Sequence, residues 1–151
     1  MTILHDILSA RDSKTRATDT GSRMHARLRH VVLDGATSHG DADLIKRIGK
    51  DPDVAKFFCK NSKTEVPIAG TINGRFISRR IDRMLIDDKS KSIYILDYKT
   101  DLNPQIFRPS YTMQIREYIQ LMRAIYPNYE ITGYILWTHD FLLEKITEKP
   151  L

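Results

Sequence analysis

Residues 77–101 read ISRRIDRMLIDDKSKSIYILDYKTD. Two β-rich runs, FISRRIDRMLI and SIYILDYKT, flank the polar signal DDKSK, which predicts an antiparallel hairpin. With the turn centred on Lys89-Ser90, the register sets Asp82 opposite Asp97. Directly opposed residues on antiparallel strands have Cβ atoms about 5 Å apart. Two carboxylates at that distance repel by roughly 3 kcal/mol at an effective dielectric of about 20. Such a pair needs a shared proton, a cation or water to offset the repulsion. Side chains two apart on a strand share a face, so Lys99 lies beside Asp97.

Two acids and an ammonium converging on one spot have a definite chemistry. Hard oxygen donors suit Mg²⁺ or Mn²⁺, which keep waters that substrate oxygens can replace. A metal held there would polarise a phosphodiester and lower the pKa of a bound water. The lysine would orient that nucleophile or stabilise charge developing on the phosphate. The bland alternative is a solvated salt-bridge cluster. Asp87 and Asp88 fall in the turn and are explained by turn chemistry alone.

Outward from the hairpin, TEVPIAGTI and the Asn73-Gly74 turn signal add a strand before it, giving a three-stranded antiparallel meander. Downstream, a loop containing Pro104 and Pro109 leads to a helix capped by Ser110, with Tyr111, Ile115, Ile119, Met122 and Ile125 forming one apolar stripe. Pro127-Asn128 ends that helix, and ITGYILWT reads as a strand buried on both faces. Strand, helix, strand is a βαβ unit, so this last strand is expected parallel to the one carrying Asp97. The fold class is therefore α/β: a small mixed sheet, an antiparallel meander plus a parallel strand after a βαβ crossover, flanked by helices.

Upstream, Met24, Leu28, Val31 and Val32 have helical spacing over Arg23 to Leu33, with Ser22 as N-cap and Asp34-Gly35 as the stop. Short helices follow from about Asp41 to Gly49 and from Asp51-Pro52 through Phe58. Polar, aperiodic residues precede them, so residues 1–22 are expected to form a flexible arm and residues 23–151 one domain.

A chain of 151 residues with 41% hydrophobic and 28% charged residues is one globular domain, and a second would not fit. No apolar run approaches a membrane span, and the N-terminus lacks a secretory pattern, so the cytoplasm is the expected location. The single cysteine, Cys59, can form neither an internal disulfide nor a zinc site by itself. A net charge of +5 is compatible with a polyanionic partner.

IDR and DYKT, followed by YTMQIREY, resemble the nuclease domain of the PD-(D/E)XK superfamily in its RecB-like branch, in particular the C-terminal nuclease of AddA-type helicase–nuclease subunits. The resemblance covers about residues 50–140. It implies a restriction-endonuclease-like core in which Asp82, Asp97 and the backbone carbonyl of Tyr98 hold the metal and Lys99 is catalytic. Gln114 and Tyr118 would face the site from the helix and join the catalytic set, and Glu65 would stand at its rim. In this branch a histidine on an N-terminal helix completes the metal site. MHARL resembles that segment and makes His25 the choice, with His30 and His39 as competitors. Only 39 residues separate His25 from Glu65, where the family usually has a longer helical insert. No GxxxxGK[ST] loop is present, so no ATP site is expected, and one cysteine excludes the iron–sulfur cluster of some relatives.

Arg75, Arg80, Arg108 and Arg116 are the expected DNA phosphate contacts, whereas alternation places Arg79 and Arg83 on the face opposite Asp82. No recognition helix or base-reading motif is evident, which fits cleavage without sequence preference. The resemblance implies a Mg²⁺- or Mn²⁺-dependent DNA exonuclease working at ends in recombination and double-strand break repair. By analogy its partners are DNA, an AddB-like subunit and a separate helicase, with no membrane. The competing classes are a catalytically silent nucleic-acid-binding or scaffolding module, and an unstable fragment of a longer helicase–nuclease.

Overall fold

The computed structural model describes residues 21–101 and 104–147. Helix α1 runs through residues 21–29. It is followed by a 3₁₀ turn Gly35–Thr37, α2 Ala42–Gly49, and α3 Pro52–Ala55 continuing into a 3₁₀ turn Lys56–Phe58. Then come β1 Lys63–Ile72, β2 Arg75–Asp87, β3 Ser92–Lys99, α4 Pro104–Ile125, β4 Glu130–Trp137 and β5 Leu142–Ile146. The strands form one sheet in the order β1-β2-β3-β4-β5. Only β3 and β4 pair in parallel, as a βαβ crossover through α4 requires.

Local chemistry sets the hairpins. Asn73 and Gly74 both take positive φ (51° and 76°) and close β1 on β2 in the backbone conformation of a type I′ turn. Asp87 accepts from the backbone N–H of Lys89 and Ser90, and Lys91 takes φ 53°. The resulting register pairs Asp87 with Ser92 and Arg83 with Leu96. Extending that ladder by one step sets Asp82 against Asp97.

At that step the sheet forks. β2 pairs with β1 from Arg75 to Met84 but with β3 only from Arg83 to Asp87. The first part of β2 therefore runs on with β1 alone and leaves a notch beside the end of β3. Ile81 and Met84, three residues apart, both join the core under α4, so the strict alternation of a regular strand is broken around Asp82. Opposite it on β1, Glu65 has φ 53°, a left-handed conformation uncommon for a residue other than glycine.

Two cores sandwich the sheet. One lies between the sheet and α4, with Ile77, Ile81, Ile95, Ile115, Ile119, Met122 and Ile135. The other lies between the sheet and α1–α3, with Leu28, Val31, Leu44, Ile48, Phe57, Phe58, Leu96 and Tyr98. Helix α2 is capped by Asp41, which also takes Arg27 of α1 at 2.8 Å.

Four expectations need correction. Ser22 is inside α1 and does not cap it; residues 21 and 22 are helical, and residues 1–20 of the expected arm lie outside the described residues. Helix α1 is helical only to residue 29, because the backbone at Val32 and Leu33 pairs with His39 and Phe58 instead of continuing the spiral. The loop expected before Ser110 is helix: α4 already runs from Pro104, with Pro109 inside it. Pro109 removes one bond to the carbonyl four residues back, and residues 105–110 are exposed, so water can take its place. Finally β5, a short strand hydrogen-bonded to β4, was not anticipated. LLEKI is too brief and too mixed to announce itself.

Gly133 on β4 lies where α4 crosses the sheet, and a methyl group there would overlap the Ile115 side chain. Gly133→Ala should therefore lower stability by about 1–3 kcal/mol through overpacking, measured by urea unfolding. An unchanged midpoint would mean that α4 does not seat there.

Candidate active site

The notch gathers side chains from four elements. Asp82 comes from β2, Asp97 and Lys99 from β3, Gln114 and Tyr118 from α4, and His25 from α1. Asp97 is almost fully buried, with 3% of its surface exposed. Lys99 Nζ lies 2.9 Å from Asp97 Oδ2 and donates to Gln114 Oε1 at 2.9 Å. Gln114 Nε2 in turn donates to the Tyr118 hydroxyl at 2.7 Å, and that hydroxyl donates to the Arg80 carbonyl at 3.4 Å. The spacing of Gln114 and Tyr118, one helical turn, puts both on the same face of α4. The Lys99 ammonium also sits 4.2 Å over the ring of Tyr111, whose hydroxyl donates to Asp101 at 2.6 Å. The amine is thus held from three sides.

On the other side of the carboxylates, Asp82 Oδ2 accepts the Tyr98 backbone N–H at 2.8 Å. His25 Nε2 is 2.9 Å from the Tyr98 carbonyl oxygen, and its Nδ1 is 3.7 Å from Asp82 Oδ1. Among the described residues the His30 side chain makes a long contact, 3.5 Å, to the neighbouring Arg29, and the His39 backbone pairs with Val32. Of the three histidines considered, His25 is the one placed at the notch. Glu65 stands beside it, 3.5 Å from Arg80.

Burial, first, and the Asp97 charge, second, push the Asp82 carboxyl up to about 8 from its ordinary 3.8, against the pull of the Tyr98 N–H. Burial and the nearby Asp97 charge likewise raise the Tyr118 phenol, which stays protonated as a donor.

Among the described residues no three His, Cys, Asp or Glu side chains already surround a common point. The donors nevertheless suit a hard dication. Asp97 Oδ2 is buried with no hydrogen-bond partner, and the Lys99 amine lies 2.9 Å from it. His25 Nε2 and the Tyr98 carbonyl, joined by a hydrogen bond at 2.9 Å, add a nitrogen and an oxygen donor beside the acids.

No protein-family model matches the chain, and no curated protein sequence matches it. Among solved structures, a protein from Eubacterium rectale named "Putative exonuclease" overlays on 87% of this chain with a TM-score of 0.59 at 15% identity. The chain spans 59% of that protein's length. A second structure, SSO0001, overlays on 72% of the chain and 52% of its own at a TM-score of 0.45 and 20% identity. The first likeness is one of fold: a mixed α/β architecture with a five-stranded mixed sheet flanked by helices. No helix of the described residues is long and apolar enough to cross a membrane.

The four arginines expected to contact DNA are not brought together. Arg75 and Arg80 lie near the β1 edge, 3.9 Å from Glu117 and 3.5 Å from Glu65. Arg108 and Arg116 lie toward the β5 edge, donating to Glu144 at 3.1 Å and to the Thr147 carbonyl at 3.4 Å. The residue that sequence reasoning underrated is Arg83. Alternation placed it away from Asp82, but nothing in the pattern signalled that it would be 1% exposed.

In metal-free buffer the folded chain holds a proton on Asp82 that the unfolded chain releases, so stability should fall as pH rises from 3.8 to about 8. Asp82→Asn should flatten that slope, and Mn²⁺ should raise the melting temperature more at the top of the window than at the bottom. Thermal melts across the range, with and without Mn²⁺, check both; a slope unaltered by the substitution would show that Asp82 is not the buried acid.

Proposed function

We propose that this chain is a metal-dependent DNA nuclease with a restriction-endonuclease-like core, of the PD-(D/E)XK kind and its RecB-like branch. The observation that carries the reading is the pairing of part-buried Asp82 with buried Asp97, with the Lys99 amine 2.9 Å from Asp97. The name borne by the Eubacterium rectale protein is in keeping with it. Asp82, Asp97, the Tyr98 carbonyl and His25 would hold Mg²⁺ or Mn²⁺, which supplies a Lewis acid for the phosphodiester and a more acidic water.

The chain's own part is positioning and charge. Gln114 and the Tyr111 ring keep the Lys99 amine aimed at the acids, where it would stabilise the negative charge that builds on phosphate during hydrolysis. Tyr118 fixes which way the Gln114 amide points: its hydroxyl takes the amide N–H, leaving the oxygen for Lys99. Action on DNA ends as an exonuclease in recombination and repair, beside an AddB-like subunit and a helicase, belongs to the same proposal.

A second reading, a silent nucleic-acid-binding module, is favoured by one observation: no three side-chain ligands are yet gathered among the described residues. Incubation with linear DNA and Mg²⁺ or Mn²⁺ separates the two. Wild type should degrade DNA, and Asp97→Ala and Lys99→Ala should each slow it by about 10²-fold or more. Salt-sensitive DNA binding with no cleavage by wild type would overturn the hydrolase and leave the module.

A further inference from the structure

Arg83 is a buried cation, 1% exposed, with no carboxylate paired to it among the described residues. Its Nε donates to the Tyr98 hydroxyl at 2.9 Å. Nη1 donates to Ser62 Oγ at 2.7 Å and the Phe57 carbonyl at 3.4 Å. Nη2 reaches the carbonyls of Leu28, Arg29 and Val31 at 3.0, 3.2 and 3.1 Å. The guanidinium lies 4.3 Å over the Phe58 ring. Burying a charge is costly unless it is fully hydrogen-bonded, and here that requirement is met by carbonyls at the end of α1. The Leu28 carbonyl also takes the Val31 N–H at 3.1 Å, and the carbonyl dipoles at a helix C-terminus favour a cation.

From this arrangement we infer that Arg83 is the positioning residue for His25. His25 and Leu28 share a face of α1 three residues apart, so the guanidinium that grips the end of the helix fixes the histidine one turn back. The second grip runs through Tyr98. Its hydroxyl takes Arg83, its carbonyl takes His25, and its N–H holds Asp82. Asp82 and Arg83 are neighbours on β2, so the proposed metal-binding acid and the anchor of the histidine helix are adjacent on one strand. Lysine cannot replace the planar five-donor fork that reaches acceptors on α1, β3 and the segment before β1. The inference rests on the metal-centred reading only for its functional consequence.

The test has two arms, both on the full chain. Amide hydrogen exchange should show residues 21–29 losing protection in Arg83→Lys and, to a smaller extent, in Tyr98→Phe, which removes a single hydroxyl and guards against a misfolded Arg83 variant. Mn²⁺ titration should show Arg83→Lys weakening binding by about tenfold in the wild-type background but not in a His25→Ala background. Unchanged protection of residues 21–29, or an equal loss of Mn²⁺ affinity in both backgrounds, would overturn the inference. Absence of Mn²⁺ binding by wild type would sink the metal reading instead, and the exchange arm would still decide the role of Arg83.

Discussion

Two carboxylates set against each other, Asp97 buried and Asp82 part-buried, are the constraint to which the rest of the site answers. Two ionised carboxylates at the about 5 Å spacing of cross-strand neighbours would repel by roughly 3 kcal/mol, a sizeable part of the about 5–15 kcal/mol that keeps a domain folded. The chain offsets it from several directions at once. Asp82 is pushed to retain a proton, the Tyr98 N–H holds one of its oxygens, and Lys99 approaches Asp97. The forking of the sheet makes the pair possible, because β2 and β3 part company at Asp82 instead of filling that space with a ladder.

Strand alternation divides the labour between the two short motifs. In IDR, Asp82 faces the notch while Arg83 turns into the core beneath α1–α3; in DYK, Asp97 and Lys99 face the notch while the Tyr98 ring joins Arg83. Each motif thus carries a residue for chemistry and a residue for support. Because the supporting pair contact each other directly, the two strands are cross-tied on the face away from the acids.

How much of this was legible varies with how local the cause is. The hairpin register could be read because its turn chemistry is confined to Asp87–Lys91, and the parallel β4 followed from one connection rule. The start of α4 could not: Pro109 is a helix breaker by local rules, yet the helix extends upstream of it through exposed residues, with the Phe107 ring stacked on Tyr111. The end of α1 was set by backbone pairing to His39 and Phe58, partners that no periodicity in α1 reveals. The same holds at the site. Asp82, Asp97 and Lys99 could be grouped by strand geometry, whereas Gln114, Tyr118 and His25 entered only through resemblance to a family. The burial of Arg83 depends on acceptors on α1, β3 and the segment before β1, more than 20 residues away in the sequence for all but Tyr98, and an arginine is ordinarily read as surface.

The net charge of +5 deserves a local reading, because it does not describe the notch. Arg75 and Arg79 approach Glu117, Arg80 approaches Glu65 and Arg108 approaches Glu144, so much of the exposed positive charge near α4 is already answered within the fold. Inside the notch two carboxylates face one ammonium, and the sum is negative whenever Asp82 gives up its proton. A phosphate approaching in that state meets repulsion at short range, where screening by salt is weakest. On the proposed reading a dication therefore has a role before any bond is broken: it reverses the sign of the site. On that reading, the acids that would hold the metal would also repel DNA in its absence once Asp82 is ionised, coupling substrate binding to metal binding without any moving part.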